Sequence, residues 1–417
     1  MMSIRLPIAA LLSVSLLVAA CDGTTQSGPA GLPNPPAPPP AFNPQQVLVR
    51  LAAGVLIETI NTRYDTRTLD AVEAQRVYLL GLPEGGSVEA FRARASQDPD
   101  LITSAPNARV DAPEAQGRST IAFADPALQQ SDYEDQGALE RIRAPAAWST
   151  TRGAGVIVAV LDTGVDVNHP QLQGAIATGG IDLVDGDDDP GESPDGIDND
   201  GDGVVDEALG HGTFVAGLIR SVAPDARILP IRVLDSEGVG TAIDIANGIE
   251  IARQNGARVI NLSLGMAVEA DVVEELIDDL ADAHGIVFVA SAGNQSTSNR
   301  QFPAGENDVI SVAATDDTDR KADFSNFGSW VDVSAPGVGL VSLFPGSRLA
   351  SWSGTSFAAA LASGEAALLV SLRPTAELSD IHDAIERSTV PVDDEQLNGS
   401  GRIDVRAAVD WLLERTD

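Results

Sequence analysis

From about residue 125 to the C-terminus, short apolar runs alternate with longer amphipathic ones. GVIVAVLD, ARILPIRVL, ARVINLSLG, GIVFVASAGN and VISVAAT are mostly β-branched and bounded by turn residues, as strands buried on both faces are. Between them, AIDIANGIEIARQNG and ADVVEELIDDLADAHG repeat their apolar residues at helical spacing. The alternation predicts βαβ units around a parallel sheet. In such folds, sites lie at the carboxyl ends of strands. The stretch SWSGTSFAAALASGEAALL turns from small polar residues into strong helix formers. Gly354 and Thr355 read as the turn, which puts Ser356 in the first helical turn, where unpaired N–H groups and the positive dipole end face outward. Residues 45–115 read as a separate small unit. QVLVRL and RVYLLGLP are its strands, SVEAFRARASQ is a helix that Ser87 or a neighbour can cap, and DLITSAPNARVDA leads out. Residues 116–124 form a linker within the polar, turn-rich segment from Gln116 to Asp135.

The N-terminus carries different information. Residues 1–20 have Arg5 followed by an apolar run that ends in small residues at Ala20, a secretion signal too short for a firm membrane span. The next residue, Cys21, is the chain's only cysteine, so no intrachain disulfide can form. LVAAC resembles the bacterial lipoprotein signal, which implies lipidation of Cys21 and a membrane anchor facing the periplasm or the cell surface. An ordinary cleaved signal, with release of a secreted mature protein, is the alternative. Residues 21–44 include GPAGLPNPPAPPPAFNP, dense enough in proline for an extended polyproline II spacer. An interaction tract for a proline-binding module is the other reading.

The 417 residues are 43% hydrophobic but only 4% aromatic, so aliphatic side chains must fill the core. A formal charge of −35 repels phosphate and argues against a nucleic-acid partner. It suits solubility, a salty habitat or cation binding. A monomer is expected.

Three motifs stand where the sheet pattern puts chemistry. Asp162 closes the strand VAVLD, His211 opens the helix HGTFVAGLI, and Ser356 opens the helix described above. Taken singly they are a turn residue, a helix-start polar group and a cap. Together they supply a nucleophile, a base and a carboxylate to orient the base. VAVLDTGVDVNHP, GHGTFVAGLI and SGTSFAAA resemble, in that order, the signature segments of the subtilisin-like serine proteases. The resemblance spans roughly residues 125–412. It implies a three-layer α/β/α catalytic domain over residues 125–417 with a mainly parallel central sheet, and a serine endopeptidase that needs no cofactor for catalysis. By the same resemblance, Ser356 is the nucleophile, His211 the general base and later acid, and Asp162 the group that holds the imidazole's tautomer. Asn294, closing VASAGN, matches the family's donor to the oxyanion, the developing negative charge that a preorganised donor must meet.

The resemblance extends to the substrate cleft. Gly238, Val239 and Gly240 on one side, and Ser263, Leu264 and Gly265 on the other, match the segments that hold a peptide as an added antiparallel strand. Ala290, Ser291, Ala292 and Gly293 suggest an open apolar pocket with Gln301 at its base. Residues 45–115 resemble the family's inhibitor-like propeptide, an α+β ferredoxin-like unit that assists folding and blocks the cleft until cut away between about Val110 and Asp125. A permanent accessory domain is the alternative.

Departures from the family pattern bear on two points. The serine motif continues Phe357-Ala358-Ala359-Ala360 where methionine and a proline are usual, a packing change beside the nucleophile. The loop for a tight structural calcium after the His211 helix is missing, and Gln171 stands where a ligand aspartate is expected. An acidic insertion, DLVDGDDDPGESPDGIDNDGDGVVDE, lies between Asp162 and His211. In it Asp198, Asp200, Asp202, Gly203 and Asp206 fit the start of a calcium loop. Leu209 stands where that loop needs a glutamate, leaving Glu207 or Asp195 to complete the ligands; a solvated acidic loop is the alternative. Two other functions compete with proteolysis. A non-catalytic surface binding protein on the same fold is motivated by the altered residues after Ser356. A lipase is disfavoured because G-T-S-F-A lacks the second glycine of G-x-S-x-G and the triad order differs.

Overall fold

The computed structural model describes residues 40–115, 122–198, 203–392, 396 and 399–415. The signal segment, Cys21, Asp200 and Asp202 lie outside the described residues.

In the N-terminal unit, strand pairing is antiparallel in the order Arg67–Val72, Val77–Gly81, Phe42–Leu51, Leu101–Asp111. Helices Ile57–Tyr64 and Val88–Ala95 complete a βαββαβ chain order. Period-two alternation splits the strands' side chains between two cores. Val47, Val49 and Leu80 pack with Ile60, Tyr64 and Phe91 of the helices, while Leu48, Val77 and Leu79 join the core of the larger body. Ser87 caps its helix by accepting from the Ala90 N–H at 3.2 Å. The first strand starts at Phe42, which pairs with Ala108, so the extended spacer ends slightly before residue 44.

The larger body is built on seven parallel strands in the order Val333–Pro336, Val309–Thr315, Val287–Ser291, Val259–Leu262, Ile157–Asp162, Arg227–Arg232, Ile181–Asp182. Helices Ala242–Gln254 and Asp271–His284 pack on one face. On the other lie His211–Val222, Thr355–Leu372, Leu378–Arg387 and Val405–Glu414. This is a three-layer α/β/α fold. Its strands are almost entirely apolar because both faces are covered.

Thr355–Leu372 is buried from Thr355 through Val370. It packs directly on the His211–Val222 helix, and residue 364 must be small for that contact. A Cβ on Gly364 would stand 2.6 Å from the Val222 Cβ and 3.1 Å from the Ile219 carbonyl oxygen. Close crossing of these two helices brings Ser356 and His211 to one end of the sheet. Part of the turn-rich stretch before residue 135 is structured. Phe123–Ala124 pairs with Arg348–Trp352, and Gln130–Glu134 is a short helix closed by a capping box.

Candidate active site

Asp162 is the last residue of its strand, and His211 the first of its helix. The two are joined where the backbones nearly touch: a Cβ on Gly212 would stand 2.0 Å from the Gly164 carbonyl oxygen. His211 Nδ1 lies 2.7 Å from Asp162 Oδ1, which also accepts from the Thr163 N–H. Both side chains are fully buried. The imidazole packs edge-on against Trp352, with ring centres 5.5 Å apart, and at 5.4 Å from Phe357. The phenylalanine that departs from the family pattern thus forms one wall for the histidine, with Phe214 and Trp352 behind it.

Asn294 follows the strand Val287–Ser291, and its amide orientation is set by its neighbours. Its Oδ1 accepts from the Thr355 N–H at 3.0 Å and from Thr355 Oγ1 at 2.8 Å, which turns Nδ2 toward Ser356. Thr355 Oγ1 in turn accepts from the Gly293 N–H. Ser263 Oγ donates to the Ser356 carbonyl oxygen, and Asn261 ties Ser263 to Ser363.

The structure brings Asp162, His211, Asn294 and Ser356 around one further group, the carboxylate of Glu114. Glu114 Oε2 lies 2.9 Å from His211 Nε2 and accepts from Ser356 Oγ at 2.6 Å. Oε1 accepts from Asn294 Nδ2 at 2.9 Å and from the Ser356 N–H at 3.3 Å. The carboxylate therefore lies between serine and imidazole, and one of its oxygens fills the anion position. That position is open because residue 354 is glycine: a Cβ there would stand 1.7 Å from Oε1. Burial opposes charge on His211, but Asp162 and then Glu114 push its pKa up to about 10. Burial likewise opposes the Glu114 carboxylate, yet bonds and charge from His211, with help from Ser356 and Asn294, hold it below its ordinary value. In this state the imidazole is charged and cannot take a proton.

The chain that delivers Glu114 occupies the cleft as a strand. Arg109, Val110 and Asp111 pair antiparallel with Thr241, Gly240 and Val239. Asp111 exchanges both backbone bonds with Gly265, each 2.9 Å, and the Ala112 N–H donates to Gly238. Pro113 has no N–H to continue the ladder. The backbone turns there, with the Ala115 N–H closing on Ala112, and the Glu114 side chain drops into the site. Leu264, between the two pairing segments, is fully buried.

Ala290, Ser291, Ala292 and Gln301 are all buried. A Cβ on Gly265 would lie 1.9 Å from Gln301 Nε2, and one on Gly293 would lie 1.8 Å from its Oε1. Asn326 Nδ2 donates to that oxygen at 3.3 Å. The amide thus lies between Gly265 and Gly293.

Of the acidic-loop residues, Asp206 accepts from the Asp195 and Gly196 N–H groups, and Asp198 from the Gly203 N–H. Among the described residues, the three carboxylates that approach one another closely enough to share an ion are instead Glu269, Glu274 and Glu306. Sequence reasoning missed Glu114, Thr355 and the buried Ser263–Asn261–Ser363 network. A DAPEA segment gives no local sign that one carboxylate will be carried into a cleft, whereas Thr355, adjacent to the serine, was open to such a reading.

The comparisons with known proteins agree with this geometry. The model of the Subtilase family matches residues 153–404. Thermitase of Thermoactinomyces vulgaris is 39% identical over 287 residues, covering 66% of this chain and 93% of its own. M-protease of Shouchella clausii is 31% identical over 371 residues, covering 81% of this chain and 92% of its own. Among solved structures, fervidolysin from Fervidobacterium pennivorans, a keratinolytic enzyme related to subtilisin, superposes with a TM-score of 0.72 at 25% identity. That match covers 88% of this chain and 61% of fervidolysin. With the family model spanning more than half of its residues, this chain belongs to the subtilase family of serine endopeptidases.

Proposed function

We propose that the chain is an exported, lipid-anchored endopeptidase made as a self-processing zymogen, with Asp162, His211 and Ser356 as its triad and Asn294 as oxyanion donor. One observation carries the reading: His211 Nε2, Ser356 Oγ, Ser356 N and Asn294 Nδ2 all converge on a single carboxylate. A peptide carbonyl in place of that carboxylate would meet the nucleophile and two oxyanion donors together. Ser356 Oγ then attacks the carbonyl carbon as His211 takes its proton. Asn294 and the Ser356 N–H hold the oxyanion, and His211 returns the proton to the leaving amine. Water attacks the acyl-enzyme by the same route in reverse. Asp162 stabilises the imidazolium throughout, and no cofactor takes part.

Residues 45–115 act as the inhibitory propeptide, and residues 109–112 hold the backbone positions of a substrate. The atom presented to Ser356 is nevertheless a side-chain carboxylate oxygen, which is no acylating group. This is a locked state. Cleavage between about Val110 and Asp125 requires the segment to shift so that a backbone carbonyl replaces Glu114. The Gln301 amide between Gly265 and Gly293 favours small side chains before the cleaved bond. Backbone pairing otherwise asks little of sequence, which suits flexible or unfolded protein substrates. The acidic loop around Asp198 and Asp206 binds structural calcium, and Cys21 carries the lipid.

A fluorophosphonate probe tests the nucleophile. It should label the processed wild type at Ser356 and leave Ser356→Ala unlabelled. Absence of label on processed wild type would favour the non-catalytic binding protein.

A further inference from the structure

The acidic insertion sends one carboxylate behind the catalytic histidine, away from any substrate. Glu192 is a half-buried residue whose two oxygens are both taken up by donors. Oε1 accepts from Thr163 Oγ1 at 2.6 Å, from the Gly210 N–H at 3.1 Å and from the Gly212 N–H at 3.2 Å. Oε2 accepts from Thr213 Oγ1 at 2.5 Å. Thr163 follows Asp162 directly, and Gly210, Gly212 and Thr213 surround His211 at the start of its helix. A single side chain therefore ties the loop of the triad aspartate to the helix of the triad histidine.

Proton bookkeeping fixes the direction of these bonds. Thr163 Oγ1 already accepts from the Gly212 N–H, and Thr213 Oγ1 from the Asp166 N–H. Each hydroxyl is left with one proton to donate, and Glu192 takes both. The Gly210 N–H donates to Glu192 Oε1 and the Gly212 N–H is shared between Thr163 Oγ1 and Glu192 Oε1, both at a helix start, where a negative charge is favoured. Every contact on the carboxylate is thus a donor, which calls for an acceptor on both oxygens. Burial pushes the Glu192 pKa up to about 7 against the bonds from Thr163 and Thr213, and the charged groups that bear on it are Asp162, which raises it, and His211, which lowers it.

We infer that Glu192 is a positioning residue for the endopeptidase reaction, clamping the Asp162 loop to the His211 helix so that the imidazole keeps its place as charge develops on it. The inference rests on the triad assignment above. It also gives the insertion a task separate from cation binding. Glu192 touches no substrate, so its removal should act on turnover and leave binding alone.

The test uses the full-length chain, allowed to mature, as wild type, Glu192→Gln and Glu192→Ala. Turnover of a peptide p-nitroanilide is normalised to active sites titrated with fluorophosphonate. Glutamine keeps the size and one acceptor, but presents an NH2 where a donor already points. Misplacement of the imidazole by a fraction of an ångström should lower kcat per active site about 10- to 100-fold for Glu192→Gln, and more for alanine, with KM within about twofold of wild type. A purely structural role would lower the melting temperature and the titratable fraction without changing kcat per site. Should a variant fail to mature, its self-processing rate reads the same site in a single turnover and should fall by the same factor. Equal kcat per site in wild type and Glu192→Gln, or equal self-processing rates, overturns the inference while leaving the endopeptidase reading intact. An inert wild type overturns the endopeptidase reading itself.

Discussion

At the residue scale, the proposed function has Glu114 hold the site closed by three means. It joins Asp162 in keeping His211 charged, it accepts the hydrogen bond of Ser356 Oγ, and it accepts from Asn294 Nδ2 and the Ser356 N–H. The pH limits follow from the two shifts. The His211 pKa is raised to about 10, first by Asp162 and then by Glu114, so the ion pair with Glu114 is lost as pH rises through 10. The Glu114 pKa is lowered from 4.5, so its share is complete above that value and lost as pH falls through the depressed one. Self-processing of the wild type should therefore accelerate as pH climbs toward 10. Glu114→Gln removes the ion pair, and it should process faster near neutrality with a flatter pH dependence. Time courses of the two chains on gels at several pH values decide this, and equal rates would remove Glu114 as the lock. A second carboxyl makes a stability prediction. Glu365 is fully buried in the serine helix, and neither of its oxygens has a hydrogen-bond partner among the described residues. Burial, with Asp404 nearby, raises its pKa well above 4.5. Folding thus favours its protonated form, and stability is lost as pH rises from about 4.5 through the raised value. Glu365→Met, of similar volume, should stabilise the protein by about 1–3 kcal/mol at neutral pH and by less near pH 4.5. Thermal unfolding at both pH values measures the difference.

At the scale of elements, the contact between the helices His211–Val222 and Thr355–Leu372 decides whether the catalytic groups meet. Gly364→Ala would press a methyl into Val222 and the Ile219 carbonyl, and overpacking of this kind costs about 1–3 kcal/mol. Melting temperature and fluorophosphonate labelling should fall together, because the strain passes to the pair of helices carrying the site. The acidic loop makes a separate prediction. If it binds calcium, the ion offsets repulsion among its carboxylates, and excess chelator should lower the melting temperature. An unchanged value would return it to a solvated loop. The strands and helices that carry Asp162, His211, Asn294 and Ser356 were legible from the sequence because each is a long or strongly apolar run framed by turn residues. Ile57–Tyr64 and Arg67–Val72 were not, since they are short and few of their residues are buried. Val333–Pro336 is four residues long, and its place at the sheet edge comes from pairing with Val309–Thr315. Glu114 was illegible for a different reason. Its role depends on the register of Asp111 against Gly265, a contact across more than a hundred residues of chain that no local pattern records.

For the whole molecule, the N-terminal unit and the catalytic body share one continuous strand ladder through Leu101–Asp111 and Val239–Thr241. Ion pairs reinforce the join. Arg50 meets Glu275 and Asp279, and Arg92 meets Asp271, so basic groups of the N-terminal unit face a helix of the acidic body. On the proposed function, docking and inhibition are one arrangement: the ladder that seats the unit also carries Glu114 to Ser356. On the proposed function, this same serine cuts the chain free. Intact-mass spectrometry of the full-length wild type and of Ser356→Ala, each incubated alone, tests it. The wild type should convert to a species lacking the residues up to a cut between about Val110 and Asp125, while Ser356→Ala stays whole. Two whole chains, or two chains cut alike, would contradict it.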